Sequence, residues 1–492
     1  MSIIITANDV HTLFRPSPCR RRVFLSANRP ELAAPPTEYD RLLMREGREH
    51  EQAHLATFPQ AVRPRYPVGD LSAGCETTRE LVEGNMLVIY QGVLLAPTKD
   101  IAGIPDFMLL SDEGWVIRDA KLARNLDDHG EITLQLTLYA DAFTDAFGFP
   151  PAALEVVLGD GTVTTVPFVE IAQVVAEISA LQQAGDVPDE AVGWSKCSEC
   201  GFKGFCWNEA EKACDPAIVV GVDQGLRGVL VRAGVDTYHK LAELDAGGLA
   251  ETRKPRGDKL VRVGPSQAQG ILRQARVVIS GKHEMFAEPE HLPEGPRVYF
   301  DIEADPHDEL AANKVYLWGV LTDPGDGSQP TYWGDIAAAG RDGDRSGWLQ
   351  FLDHARGVIE QLGDIPFVHY SHYERTWMTK YISRWGDPDG VGEKVLESLW
   401  DMLPKAIQRA LCLPIPSYGL KQVEQYAGFQ RSQADYGGLW SVVRYREWLE
   451  AGTSDERERI ADELLRYNRE DCEAMQWVME WAERAANGVQ DS

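Results

Sequence analysis

The chain has 492 residues, enough for several domains of roughly 150 residues each. At 44% hydrophobic and 25% charged residues it has a globular composition, and no run approaches the ~18 apolar residues of a membrane helix. Its net charge of −27 argues against broad electrostatic capture of nucleic acid, which is held through Lys and Arg. It does not exclude metal-dependent hydrolysis, which needs carboxylate clusters.

The opening stretch, MSIIITANDVHTLF, has no basic run before its apolar residues and no small-residue cleavage pattern. No secretory signal is expected, which points to the cytoplasm and to no membrane partner. In a reducing compartment, clustered cysteines suggest metal or redox chemistry rather than disulfides.

Residues 1–216 mix helical and strand-like runs, the signature of an α/β core. The polar helix MREGREHEQAHL places Glu51 four residues after Gly47, with His50 beside it. The runs NMLVIYQGVLLA, IPDFMLLSDEGWVIRDAKL and ALEVVLGDGTVTTVPF read as strands. Asp106 begins one of them, and Asp119 and Lys121 end the next. Residues i and i+2 of a strand share a face, so Asp119 and Lys121 point the same way. If the two runs pair as a hairpin, Asp106 joins them. Two carboxylates can hold a divalent cation through oxygen, and a lysine can stabilise charge developing on phosphorus. Gln135 and Tyr139 follow on one face of the next helix.

Four of the eight cysteines then fall within 18 residues, in WSKCSECGFKGFCWNEAEKAC. The Cys197-x2-Cys200-x5-Cys206 spacing is that of a metal site. Spacing alone leaves zinc and an iron–sulfur cluster equally open, since both take four thiolates. Cys214 is a substitute ligand. Cys75, Cys412 and Cys472 stand alone and are expected to be buried apolar residues.

Residues 217–285 lose the strand signal. GLRGVLVRAGVDTYHKLAELDAGGLAE and GPSQAQGILRQARVVIS read as short helices joined by glycine turns. The first resembles a helix-hairpin-helix, whose turn amides can hold a phosphate; a plain helical connector fits equally well. RKPRGDKLVR carries five basic residues and one Asp.

Residues 286–492 restart with RVYFDIEAD, KVYLWGVL and TYWGDI, a predicted meander, before helices take over. Asp301 and Glu303 share a strand face. Tyr467 and Asp471 lie one helical turn apart. Glu374, in HYSHYERTWM, and Asp401, in SLWDMLPKAI, fall between them. No phosphate-binding loop of the motor type is present.

Two resemblances cover nearly the whole chain. Asp106, Asp119-x-Lys121 and Gln135-x3-Tyr139, in that order, resemble the RecB-like branch of PD-(D/E)XK nucleases, which have a restriction-endonuclease-like core. The resemblance implies metal ligation by Asp106, Asp119 and an upstream helix residue. That residue is usually His; here the position holds Glu51, with His50 as the alternative. Members such as the AddB nuclease domain and the nucleases of CRISPR adaptation carry one cysteine before the core and a Cys-x2-Cys-x5-Cys after it. Cys19, Cys197, Cys200 and Cys206 match that pattern, which implies a 4Fe–4S cluster stapling the domain, with zinc as the alternative.

Asp301-x-Glu303, an acidic residue mid-domain and Tyr467-x3-Asp471 resemble the tyrosine-bearing DEDD exonucleases of the RNase H-like fold. SYGLKQVEQYAGF and YNREDCEA are similar to the YprB type. This implies acidic ligation of Mg2+ or Mn2+ and a tyrosine that positions water. The middle ligand is usually Asp; here it is Glu374, with Asp401 as a further candidate. The expected protein is a DNA nuclease, most plausibly an exonuclease on single-stranded or end-containing DNA in repair, recombination or defence, with room for a helicase partner. RNA processing and a metal-stapled binding protein are the rival expectations.

Overall fold

A computed structural model of the protein describes residues 4–96, 100–290, 295–305, 314–433 and 436–486. They form two compact units, Met1–Glu209 and Ala210–Ser492. No helix is long and apolar enough to cross a membrane among the described residues.

The first unit opens with helices α1 (Ala7–Phe14), α2 (Arg20–Asn28), α3 (Glu38–Leu55) and α4 (Leu71–Glu83). Strands β1 (Val88–Tyr90), β2 (Leu94–Ala96), β3 (Ile101–Gly103), β4 (Phe107–Ser111) and β5 (Gly114–Ala120) follow. Then come α5 (Gly130–Phe147), β6 (Ala153–Val157), β7 (Val163–Val166), α6 (Ala172–Gln182) and α7 (Lys203–Lys212). The main sheet has the order β1-β4-β5-β6-β7. β4 and β5 are an antiparallel hairpin, whereas β5 and β6 run parallel. Parallel neighbours need a crossover, and α5 supplies it. Its Ile132, Leu136, Leu138, Ala142 and Phe143 are buried in the same apolar cluster as Met108, Ile117 and Leu154. α5 stops at Gly148, which takes the left-handed conformation (φ 81°) that caps a helix.

The second unit begins with α8 (Gln224–Arg232), α9 (Tyr238–Ala242), α10 (Ala246–Glu251), β8 (Arg253–Arg256), β9 (Lys259–Arg262) and α11 (Pro265–Ser280). The all-helical expectation for residues 217–285 therefore misses one feature: RKPRGDKLVR is an antiparallel hairpin. Its strands are short and lack apolar alternation, so the periodic signal was absent. The helices share a core of their own, built on Leu226, Leu230, Leu241, Leu249, Ile271 and Leu272.

The larger sheet follows. β10 (Glu284–Met285) lies outside it, and its first strands are β11 (Arg297–Asp305), β12 (Lys314–Asp323) and β13 (Thr331–Ile336). After α12 (Gly340–Leu362) come β14 (Phe367–His369), α13 (Tyr373–Trp385), α14 (Val391–Ser398) and β15 (Leu399–Asp401). The order is β13-β12-β11-β14-β15. β11, β12 and β13 form the predicted antiparallel meander, and β14 and β15 add in parallel. β12 is buried from Lys314 to Leu321, as expected of a central strand covered on both faces. The chain ends in α15 (Gln408–Ala410), β16 (Leu411–Cys412), α16 (Leu420–Tyr426), α17 (Gly438–Glu450) and α18 (Ser454–Ala486).

α18 positions the site. Its buried stripe runs Ile460, Leu464, Tyr467, Asn468, Asp471, Cys472, Met475, Val478 and Met479, with helical spacing. Three polar residues interrupt that apolar face, where burial without a partner is costly. Close approach to the sheet is possible because β12 has Gly319 there: a Cβ would collide with the Asn468 side chain.

Candidate active site

β11 presents Asp301 and Glu303 on one face, and α18 brings Asp471 to them. Carboxylate oxygens of the three residues all lie within 4.8 Å of one another. Each carboxylate is held by a neighbour. Asn468 Nδ2 donates to Asp301 Oδ2 at 2.7 Å. Ser441 Oγ, on α17, donates to Glu303 Oε2 at 2.9 Å. Arg431 Nη2 donates to Asp471 Oδ1 at 2.5 Å and to Glu424 Oε2 at 2.7 Å.

The electrostatics are those of a cation site. Burial pushes the Asp301 carboxyl well above its usual range, and the charges of Asp471, Glu303 and Glu374 push the same way. Burial and then Asp471 raise Glu303 to about 8. Asp471 is also raised by burial, with Arg431 opposing. Clustered like charges cannot all ionise without compensation, and hard oxygen donors suit a divalent ion. The donor set therefore fits Mg2+ or Mn2+.

Of the five acidic residues expected here, three converge. Glu374, at the start of α13, is buried and turned to His369, with Oε2 3.1 Å from Nδ1. Its charge still reaches Asp301. Asp401, at the end of β15, accepts the backbone amides of Ser371 and Leu403 at 2.9 and 3.1 Å, which makes it a loop organiser in this conformation. Tyr467 is buried one turn before Asp471. Burial and the charges of Asp471, Glu303 and Asp301 hold its hydroxyl protonated.

Sequence reasoning missed Arg431, Asn468, Ser441 and Lys421. Lys421 has its pKa lowered by burial and then by Arg431. Asn468 carried a signal: it neighbours Tyr467 on the same buried stripe. Arg431 and Ser441 have no sequence spacing relative to the acidic residues that would select them.

In the first unit, Asp106 and Asp119 meet across the β4–β5 hairpin. The Asp106 amide donates to Asp119 Oδ1 at 3.1 Å, and the Ala120 amide donates to Asp106 Oδ2 at 2.8 Å. Lys121 Nζ lies 2.7 Å from Asp119 Oδ2. Burial and then the Asp119 charge raise Asp106 to about 9. Burial works against the Lys121 ammonium, but Asp119, Asp106 and Glu131 together outweigh it and the pKa rises. Glu51 accepts from the Tyr90 hydroxyl at 2.7 Å and Gln91 Nε2 at 2.8 Å, while His50 Nε2 sits 3.2 Å from the Val157 carbonyl oxygen. Tyr139 is buried against Gly103, where a Cβ would strike its ring. Gln135 is turned to structure, donating to the Ala7 carbonyl at 2.9 Å. Among the described residues, only the Asp301 cluster brings three such ligands within 4.8 Å; Glu51, Asp106 and Asp119 do not.

Cys19, Cys197, Cys200 and Cys206 line one small cavity, together with Arg21, Arg22 and Lys203. Burial raises the Cys206 thiol to about 11, against the opposing charge of Arg21. Cys214 is outside that lining. Cys75, Cys412 and Cys472 are buried.

A family model described as RNase H superfamily matches residues 298–483. No curated protein matches the chain. The match spans the sheet β13-β12-β11-β14-β15 and the Asp301, Glu303 and Asp471 cluster, so this part of the chain is an RNase H-like domain. Such a domain fits a metal-dependent nuclease.

Proposed function

We propose that the protein is a metal-dependent DNA nuclease with an RNase H-like DEDD-type exonuclease centre and a RecB-like PD-(D/E)XK centre. The observation that carries this reading is the convergence of Asp301, Glu303 and Asp471 within the matched domain. Divalent ions held there would stabilise charge on the attacking and leaving oxygens of an in-line displacement. The chain's own residues do the positioning. Asn468 and Ser441 fix the two strand carboxylates. Tyr467, kept protonated, can donate a hydrogen bond that orients the attacking water. Water loses a proton to solvent as it adds at phosphorus, the bond to the leaving oxygen breaks, and that oxygen takes a proton from solvent.

The second centre rests on Asp106, Asp119 and Lys121, and on the α5 crossover between parallel strands β5 and β6. Glu51, Gln135 and Tyr139 complete the set expected from the RecB-like resemblance. The cysteine-lined cavity supports a 4Fe–4S staple on Cys19, Cys197, Cys200 and Cys206, with zinc as the alternative. Single-stranded or end-containing DNA is the proposed substrate, in repair, recombination or defence within the cytoplasm, with a helicase as a candidate partner. That Glu51, Asp106 and Asp119 do not come within 4.8 Å of one another favours a second reading, in which only the C-terminal centre cuts.

The test is cleavage of matched end-labelled DNA and RNA strands with Mg2+ or Mn2+, by wild type, Lys121→Ala and Asp301→Ala. Loss of all cleavage in Asp301→Ala alone selects the second reading. Partial loss in each variant supports two working centres. Preferential cutting of RNA, or intact strands throughout, overturns the DNA nuclease proposal.

A further inference from the structure

We infer that the β8–β9 hairpin is a nucleic-acid-binding arm that grips the phosphodiester backbone. This rests on the nuclease reading, because it supplies what that reading needs. A chain of net charge −27 must hold a polyanion next to buried carboxylates, so cations have to be concentrated locally.

The register gives the first reason. Arg253 stands directly opposite Arg262, and Arg256 opposite Lys259. Like charges placed opposite on an antiparallel pair repel and weaken a hairpin. Two such pairs in one four-residue ladder are a cost to folding, and a polyanion laid along the ribbon would remove it.

The second reason is partnering. Lys254 is buried and committed, with Nζ 2.5 Å from Asp223 Oδ2 at the start of α8. That bond fastens the base of the hairpin. Arg262 is paired with Glu251. Arg253, Arg256 and Lys259 are exposed, and none of them has a carboxylate partner among the described residues. In a protein with 76 acidic residues against 49 basic ones, three exposed cations left unpaired on one short ribbon stand out.

The third is shape. Pro255 faces Leu260 on the same side as Arg253 and Arg262, and Leu260 is 66% exposed. An apolar pair beside the cations Arg253 and Arg262, with Arg256 and Lys259 on the opposite face, suits a groove or unstacked bases bordered by phosphates. A two-stranded ribbon is also narrow enough to enter a groove.

The experiment measures binding apart from cutting. Fluorescence anisotropy of a labelled DNA oligonucleotide is recorded in EDTA, across about 50 to 200 mM KCl. Wild type is run beside Arg253→Gln/Arg256→Gln/Lys259→Gln. A control with the same charge change elsewhere is Arg345→Gln/Lys394→Gln/Arg409→Gln. The hairpin variant is expected to bind about tenfold or more weakly. Its slope of log affinity against log salt should be shallower by about 2, from roughly 0.7–0.9 per lost phosphate contact. The control should match wild type. Hydrolysis of a small chromogenic phosphodiester should be unchanged in both variants, which shows that they are folded.

If the hairpin variant keeps the wild-type affinity and slope, the arm is not a binding surface, and the nuclease reading survives. If wild type binds DNA through the hairpin but cleaves nothing, the nuclease reading fails and the arm stands. If labelled poly-glutamate depends on the hairpin while DNA does not, the partner is an acidic protein surface and the inference is overturned.

Discussion

Asp301 on the first strand of the larger sheet and Asp471 on the final helix place carboxylate oxygens within 4.8 Å of each other, and Glu303 joins them at the same spacing. Two elements far apart in sequence deliver acidic groups to one point, against their mutual repulsion. Protonation relieves that repulsion in part, and a bound cation would relieve it further. Mn2+ or Mg2+ should therefore raise the melting temperature of the wild type, with the logarithm of ion concentration above the dissociation constant. Asp301→Asn and Asp471→Asn should lose the increase, as followed by thermal shift across a metal titration. An equal metal-induced shift in both variants would place the binding elsewhere.

The raised carboxyl of Glu303 sets the sign of the pH dependence. Between its ordinary value of 4.5 and about 8, the metal-free folded protein keeps a proton that the unfolded chain releases. Stability from this group is complete below pH 4.5 and is lost as pH rises towards 8, by at most about 1.4 kcal/mol per pH unit. Asp301 and Asp471, also raised, act in the same direction. Divalent ions displace those protons, so the metal-loaded protein should lose less stability as pH rises. Urea melts at several pH values, with EDTA and with Mn2+, measure both slopes. Parallel slopes would count against the cluster as the metal site.

Arg431 bridges Asp471 and Glu424, with its side chain only 5% exposed. Arg431→Met leaves two buried carboxylates without their counter-charge. Removing one partner of a buried pair costs about 3–5 kcal/mol. The expected result is that loss in EDTA, partly recovered by Mn2+, which would take over the neutralisation of Asp471. A variant as stable as wild type in EDTA would show that the guanidinium is dispensable.

The proposed iron–sulfur staple makes a chemical prediction. Protein purified without oxygen should carry iron and acid-labile sulfide. Cys197→Ser and Cys206→Ser should lose both, whereas Cys214→Ser, outside the cavity, should keep them. Because the bound thiols must deprotonate and Cys206 starts at about 11, loading should improve as pH rises. Zinc without iron would retain the staple but change its identity.

Much of this site was legible in the sequence. The period of two placed Asp301 beside Glu303 and Asp119 beside Lys121, and the hairpin that joins Asp106 to Asp119 followed from two short apolar runs. Helical spacing placed Tyr467 with Asp471. Residues supplied by loops or by tertiary approach were not legible. Arg431 follows the end of α16 in irregular chain, and Ser441 reaches Glu303 only because α17 packs by β11. Helical spacing likewise gave no sign that the Gln135 amide donates to the Ala7 carbonyl and so ties α5 to α1. The β8–β9 hairpin escaped because charge, rather than apolar alternation, fills its strands.

The most direct measurement is diffraction from crystals grown with Mn2+, with anomalous density used to place the ion. A peak is expected within coordination distance, about 2.0–2.6 Å by analogy with other hard cations, of oxygens from Asp301, Glu303 and Asp471. Density at other acidic groups, with this cluster unoccupied at saturating Mn2+, would contradict that expectation.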